Sequence, residues 1–254
     1  MNLKNMKYWE KSIPFSQDEI KLDSFEKKRQ FRYRLQDYMQ RVFKYNQYKN
    51  KLVLEIGCGS GIDSLEFAKY GAKIVATDMT EKGTLVTNKY LKEKKYKGYI
   101  IRADGHNLPF KNSTIDCVYS FGVLHHIPDI KKILNEIKRV LKKGGEIAGM
   151  VYNRDSLLFA YSIVYLRGIK HGLLKKYSLD RILSMYSERN KGCPYTKAYT
   201  KEEIKKLLKK YFKNVKLSVE YNVIDTEKKR KVKIKVPEDY ELGWHLIFKG
   251  RNQP

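Results

Sequence analysis

Leu52-Val53-Leu54-Glu55-Ile56-Gly57-Cys58-Gly59-Ser60-Gly61 is the stretch that decides how this chain folds. Its apolar half suits a strand buried on both faces of a parallel sheet. The glycines that come next, spaced two apart, allow φ > 0 and let backbone approach a ligand with no Cβ in the way. A helix pattern opens at Asp63 (Asp63-Ser64-Leu65-Glu66-Phe67-Ala68), so the loop would deliver a ligand to a helix N-terminus. A dinucleotide-binding loop is the competing reading. It needs Gly or Ala three residues after its second glycine, for close helix packing, and Ile62 stands there. Glu55 is also ill-suited to a pyrophosphate; a carboxylate fits a ligand that carries an ammonium nearby.

The elements downstream keep a fixed order. Lys73–Asp78 reads as a second strand ending in Asp78, an acid placed to accept both hydroxyls of a ribose. A third strand near Tyr99–Arg102 runs into Ala103-Asp104-Gly105 and Leu108-Pro109-Phe110. A fourth, Ile115–Ser120, gives Phe121-Gly122-Val123-Leu124-His125-His126-Ile127-Pro128-Asp129. A helix (Ile130–Leu141), a Lys143-Gly144-Gly145 turn and a fifth strand (Glu146–Tyr152) come after it.

The pattern Glu55-x-Gly57-x-Gly59-x-Gly61, with this series behind it, resembles the class I S-adenosylmethionine-dependent methyltransferases of the small-molecule type, over about residues 50 to 152. The resemblance implies an α/β, Rossmann-like fold: a seven-stranded, mostly parallel sheet with helices on both faces. It implies S-adenosyl-L-methionine as cofactor, held by Glu55, Gly57, Cys58, Gly59, Gly61, Asp78, Met79, Asp104, Gly105 and Phe121, with Asp104 on the adenine amino group. Residues 214–221 and Leu242–Lys249 would close the sheet as an antiparallel pair, after a helix at Lys201–Tyr211. Around this core (51–152 and 200–254) sit two additions. Residues 1–50 form an N-terminal helical lid, with Tyr8-Trp9 near its start and a basic aromatic helix at Phe25–Tyr45. Residues 153–199 form an inserted helical cap, its apolar part (Ser156–Ile169) read as an amphipathic or half-buried helix.

Composition bounds the rest. The chain has 254 residues, 42% hydrophobic, enough for one large core. Its N-terminus lacks a signal-peptide pattern, and no apolar run approaches the roughly 20 residues of a membrane span. The three cysteines, Cys58, Cys117 and Cys193, show no pairing or metal-ligand spacing. A reducing, cytoplasmic setting without disulfides or metal is expected. Fifty-three Lys and Arg against 28 acids give a net charge of +25. A solvated surface, an acidic small substrate and RNA all remain open readings of that charge. The concentrated run Glu227–Lys235 reads as an edge strand or hairpin arm, or as the lining of a phosphate site.

After the fourth strand the chain has Ser120-Phe121-Gly122-Val123, not the Asn/Asp-Pro-Pro-aromatic of enzymes that methylate exocyclic base amines. No cysteine nucleophile stands between Cys117 and Cys193 either. Both absences lower the nucleic-acid reading. His125 and His126, beside the C-terminal ends of the strands, are candidates for a general base on an acceptor hydroxyl, with Tyr8 as a relay. Which histidine faces the substrate is open. The expected activity is O-methylation of a small molecule, a sugar or an anionic, nucleotide-linked sugar. A small-molecule N-methyltransferase, an RNA methyltransferase and a non-catalytic S-adenosylmethionine-binding protein are the alternatives.

Overall fold

A computed structural model describes residues 3–13, 22–188, 192–225, 231–237 and 239–253. Five parallel strands, β1 (Leu52–Ile56), β2 (Lys73–Asp78), β3 (Gly98–Arg102), β4 (Ile115–Phe121) and β5 (Leu141–Asn153), form most of the sheet. The two-residue strand β6 (Ala198–Tyr199) takes up the edge of β5 where β4 has ended, pairing with Tyr152 and Asn153. β7 (Phe212–Glu220) and β10 (His245–Asn252) complete it, in the order β3-β2-β1-β4-β5-β10-β7, with β10 antiparallel to both neighbours. A separate hairpin joins β8 (Val223–Asp225) to β9 (Lys231–Lys233).

Both faces of the sheet are covered, which is why its strands read as continuous apolar runs. One face collects Val53, Ile74, Cys117, Tyr119, Met150 and Ile247, against Phe67 of α4 (Ile62–Lys69) and Phe43, Tyr45 and Tyr48 of the N-terminal segment. The alternate residues Leu54, Val75, Val118, Ile147 and Phe248 meet α6 (Ile130–Val140) and α8 (Lys201–Lys209). On α6 the residues Ile130, Ile133, Leu134, Ile137 and Val140 make the buried stripe. Each such side chain contributes about 1.5–3 kcal/mol. Thr200 and Glu203 close a capping box that starts α8. α5 (Glu81–Glu93) comes after β2, and α7 (Leu179–Tyr186) belongs to the segment between β5 and β6.

Two expectations change in detail. The basic aromatic helix breaks into α2 (Leu22–Leu35), α3 (Tyr38–Phe43) and a 3₁₀ turn, Tyr45–Tyr48. Lys44 takes φ +47 between the last two, and this bend is what turns Tyr45 and Tyr48 under the sheet. The Lys143-Gly144-Gly145 segment is not a turn before the fifth strand but a bulge inside it. Leu141 already pairs with Ile115 while Glu146 pairs with Cys117, and Gly144 absorbs the irregularity at φ +73. The apolar segment after β5 is a π-wound helix, Leu158–Lys170, that buries Leu158, Phe159, Ile163 and Leu166 and exposes Tyr165 and Ile169. The first helix, α1 (Leu3–Ser12), lies over the C-terminal ends of β1, β2 and β4. Its Glu10 carboxylate accepts from the backbone N–H groups of Glu81 (2.9 Å) and Lys82 (3.1 Å), capping α5 from outside. Of the basic run, residues 227–230 lie outside the described residues. The rest includes β9, where Lys233 pairs with Asp37 at 2.9 Å.

Candidate active site

The loop after β1 is shaped by its glycines. Gly57 has φ +77, and a Cβ there would lie 2.3 Å from Cγ2 of Val123. Gly61, at φ +76, would press its Cβ to 2.8 Å from the Thr87 hydroxyl of α5. The carbonyl of Thr77 accepts from the N–H groups of Gly57 (2.7 Å) and Cys58 (3.0 Å), tying the loop to the end of β2. At Gly59 a Cβ would meet nothing within 4 Å. That open space faces a cavity of about 340 Å³ at the C-terminal ends of the strands.

Asp78 stands at the cavity wall. Its Oδ2 accepts from Gly59 N–H at 2.8 Å, and Oδ1 accepts from the backbone N–H (2.9 Å) and hydroxyl (2.5 Å) of Thr80. Burial pushes its carboxyl above the usual range, against the pull of those bonds. Across the cavity, Asp104 Oδ1 accepts from His106 through the backbone N–H (3.0 Å) and pairs with its Nδ1 (2.7 Å). Burial works to raise Asp104 as well, but the His106 contacts prevail and hold it low. Met79, Gly105 and Phe121 also line the space. An open backbone cradle at Gly59, flanked by one acid fixed by three donors and another fixed by an imidazole, fits a nucleoside with two hydroxyls and an exocyclic amine.

Three residues read as cofactor contacts do not line the cavity. Glu55 is buried under the loop, where its carboxylate accepts from the Ser64 hydroxyl. Burial and the neighbouring Asp63 push its pKa well above the ordinary carboxylate value. Cys58 packs inward against Thr87, and Gly61 serves the contact between the loop and α5.

The histidines also differ from the expectation of a free base. His125 is fully buried, does not line the cavity and stacks on Tyr152 at a centroid distance of 3.8 Å. Neither of its ring nitrogens has a well-formed hydrogen bond, the Met150 backbone makes only a weak contact with it, and burial holds its pKa well below the usual value. His126 does line the cavity, but both its nitrogens are engaged. Nδ1 lies 3.1 Å from the Tyr195 carbonyl and 3.2 Å from the Thr196 hydroxyl, and Nε2 lies 3.4 Å from Glu188. Burial alone would lower His126; the contacts with Cys193 and Glu188 outweigh it and raise the pKa to about 10. Glu188 falls correspondingly to about 2. Held by these contacts, His126 has no ring nitrogen free to take a proton from an acceptor. Tyr8 packs edge-on against Trp9 rather than lining the cavity, and burial raises its phenol.

From α1 it is Trp9 that reaches the cavity, with its ring 4.7 Å from His126, together with Asn5, which donates to the His126 carbonyl at 3.3 Å. Sequence reasoning missed what docks α2 beside this site. Arg32 pairs with buried Asp63 at 2.7 Å and lies over the Phe121 ring at 4.7 Å; Asp63 also accepts from the hydroxyls of Tyr119 and Tyr33. Arg29 pairs with buried Glu66 at 2.9 Å. The available signal was the spacing of Arg29 and Arg32, three apart on one helix face. Cys193, read as an unpartnered loop residue, is buried with its Sγ 3.6 Å from Nδ1 of His126. Among the described residues no Lys or Arg lines the cavity.

Residues 54–149 match the protein family described as "Methyltransferase domain". A sterol 4-C-methyltransferase of Caenorhabditis elegans is 34% identical over 100 residues, 39% of this chain and 30% of the relative. A ubiquinone biosynthesis O-methyltransferase of Coxiella burnetii is 28% identical over 116 residues, 46% of this chain and 50% of the relative. The matches thus span about a third to a half of these curated relatives. A solved structure from Thermotoga maritima, described as a SAM-dependent methyltransferase and possible histamine N-methyltransferase, superposes with a TM-score of 0.55 at 18% identity. It covers 85% of this chain and 95% of that one, a likeness of fold. Residues 54–149 thus match a methyltransferase domain, the fold around them is the Rossmann-like one of the SAM-dependent methyltransferases it superposes on, and S-adenosylmethionine is the cofactor this match implies.

Proposed function

We propose that this protein transfers a methyl group from S-adenosylmethionine to an oxygen of an uncharged small molecule. The observation that carries the reading is the cavity at the strand ends, open at Gly59 and bounded by Asp78 and Asp104. In it Asp78 takes the ribose hydroxyls, Asp104 with His106 takes the adenine amine, and the backbone at Gly57, Gly59 and Ser60 lies along the amino-acid portion. When bound, the cofactor supplies an electrophilic methyl on a sulfonium. The chain's contribution is to orient the acceptor and exclude water around that methyl. α1 acts as the lid, with Trp9 as its inner wall, and residues 153–199 form the cap on the acceptor side.

Oxygen remains the preferred acceptor atom, but the class of hydroxyl is narrowed. A sugar hydroxyl ionises only with a base, and His126 has both ring nitrogens occupied while His125 stands outside the cavity. A phenol or enol, which ionises unaided, fits better. A nucleotide-linked sugar is disfavoured further because no Lys or Arg lines the described cavity. The same fact weighs against RNA. The test is a labelled-methyl transfer assay over matched phenol, sugar and amine acceptors, with S-adenosylhomocysteine calorimetry alongside. Binding of S-adenosylhomocysteine with turnover of the phenol set is the expected result. Absence of that binding refutes the whole reading, and turnover confined to sugars or amines refutes the acceptor class.

A further inference from the structure

His125, His126 and Glu188 each offer a donor atom, and the three atoms lie within 4.8 Å of one another beside the cavity, the histidines buried and Glu188 half-buried. We propose that this cluster is a binding site for a divalent transition-metal ion of the zinc class, with two imidazole nitrogens and one carboxylate oxygen as ligands. Nitrogen and carboxylate donors of this number are the set such ions take, leaving a further position for water or substrate.

Four features of the surroundings support this. First, Nε2 of His126 and Oε1 of Glu188 are 3.4 Å apart. Two ligands about 2.1 Å from a common ion at a tetrahedral angle stand about 3.4 Å apart. Second, the other nitrogen of His126 faces the Tyr195 carbonyl at 3.1 Å. A metal-binding histidine is ordinarily held this way, its spare N–H donated to a carbonyl so that the remaining nitrogen presents its lone pair. Third, the Tyr152 hydroxyl donates to Oε1 of Glu188 at 2.7 Å, orienting the carboxylate as outer partners of metal ligands do. Fourth, His125 is fully buried; the Met150 backbone makes only a weak contact with its ring, and neither nitrogen has a well-formed bond. A buried polar group without a partner is costly and calls for an unseen ion or water. Packing against Tyr152 explains the ring of His125 and the Met150 backbone accounts for at most one nitrogen, leaving the other without a partner among the described residues. The hydrogen bond between His126 and Glu188 explains those two residues without explaining His125; one ion accounts for all three.

Cys193 does not belong to the ligand set. Its Sγ lies 3.6 Å from Nδ1 of His126, on the side opposite the nitrogen that faces Glu188.

The experiment is titration of the full chain, stripped with chelator, with Zn²⁺ by competition against a chromophoric chelator, and with Co²⁺ by visible absorption. One equivalent of Zn²⁺ per chain is expected, with Co²⁺ bands in the range of four- or five-coordinate nitrogen and oxygen donors. Glu188→Gln keeps the side-chain shape and should abolish stoichiometric binding, and His125→Asn should do the same. Tyr152→Phe removes one outer hydroxyl and should weaken binding about 10- to 100-fold. Cys193→Ser should bind as the parent does. The proposal is overturned by absence of a stoichiometric site, by binding indifferent to Glu188→Gln and His125→Asn, or by loss of binding in Cys193→Ser. Calorimetry with S-adenosylhomocysteine on the stripped protein and on Glu188→Gln confirms an intact fold. It also tests the cofactor cavity independently, so failure of the metal site is distinguishable from failure of the proposed function.

Discussion

Replacing Asp78 by Asn preserves the side chain's shape, removes its charge and sets an amide among three hydrogen-bond donors. One carboxylate oxygen accepts from Gly59 N–H at 2.8 Å, the other from Thr80 N–H and hydroxyl. An amide that turns its oxygen toward Thr80 sets its NH₂ against the Gly59 N–H, donor against donor, and the reverse orientation moves that conflict to Thr80. The ribose hydroxyls would then find one charge-assisted acceptor gone and the other made neutral. A bond to a charged group contributes about 1.5–3 kcal/mol and a neutral one about 0.5–1.5 kcal/mol. Losing one and weakening the other amounts to about 2.5–4.5 kcal/mol, or ~70- to 2,000-fold in affinity. Titration calorimetry with S-adenosylhomocysteine reads this directly, and circular dichroism checks the fold. Glu55→Gln is the control, because that acid lies under the loop on Ser64 and its raised pKa makes an amide a close mimic. It should leave the affinity unchanged. Asp78→Asn binding within threefold of the parent, in a protein that melts normally, would refute the reasoning.

Gly57→Ala should abolish cofactor binding by driving a methyl to 2.3 Å from Val123 at a backbone angle that itself costs about 1–2 kcal/mol; Val123→Ala in the same chain should restore part of it, and no restoration would show that the clash is not the cause. Arg32→Leu leaves Asp63 buried without its cation, so urea unfolding should show a loss of about 3–5 kcal/mol; a loss below about 1 kcal/mol would mean that the tyrosines suffice. His245 is buried and bonded through Nδ1 to the Tyr38 hydroxyl at 2.5 Å, and burial holds its pKa well below its usual 6.5. Because the folded state refuses a proton the unfolded chain takes, that stability is complete above 6.5 and lost as pH falls through it. The loss is up to about 1.4 kcal/mol per pH unit, and His245→Gln should flatten the acid limb of the stability curve by that amount; an unchanged limb would count against it.

The parts that sequence made legible are those whose chemistry is local. Strand β1, its glycine loop and α4 are contiguous, and Asp78 and Asp104 each end a strand, so a parallel sheet brings them to one edge whatever the helices do. The breaks around Gln36 and Lys44 were invisible because Tyr38, Met39, Phe43 and Tyr45 read as part of one basic aromatic helix; burial under the sheet, not helix propensity, bends the chain there. The assignment of a base failed for a related reason. Residue type places His125 and His126 correctly beside the strand ends, but their protonation depends on Glu188 and on the burial of a loop that is distant in sequence. Arg32 on Asp63 and Trp9 on His126 are likewise tertiary facts. No window of sequence contains both partners.

A cavity that no Lys or Arg among the described residues lines, inside a chain of net charge +25, has a consequence for how the proposed enzyme would tell donor from by-product. S-adenosylmethionine carries one more positive charge than the sulfide left after transfer. The far field of the surface lysines therefore weights occupancy toward the spent sulfide, with no contact involved. Counter-ions cut that field off over about 8 Å at physiological ionic strength, and over about 30 Å at 0.01 M. On the proposed function, by-product inhibition should therefore be strongest in dilute buffer and relax as salt is added, while the intrinsic fit of the nucleoside stays the same.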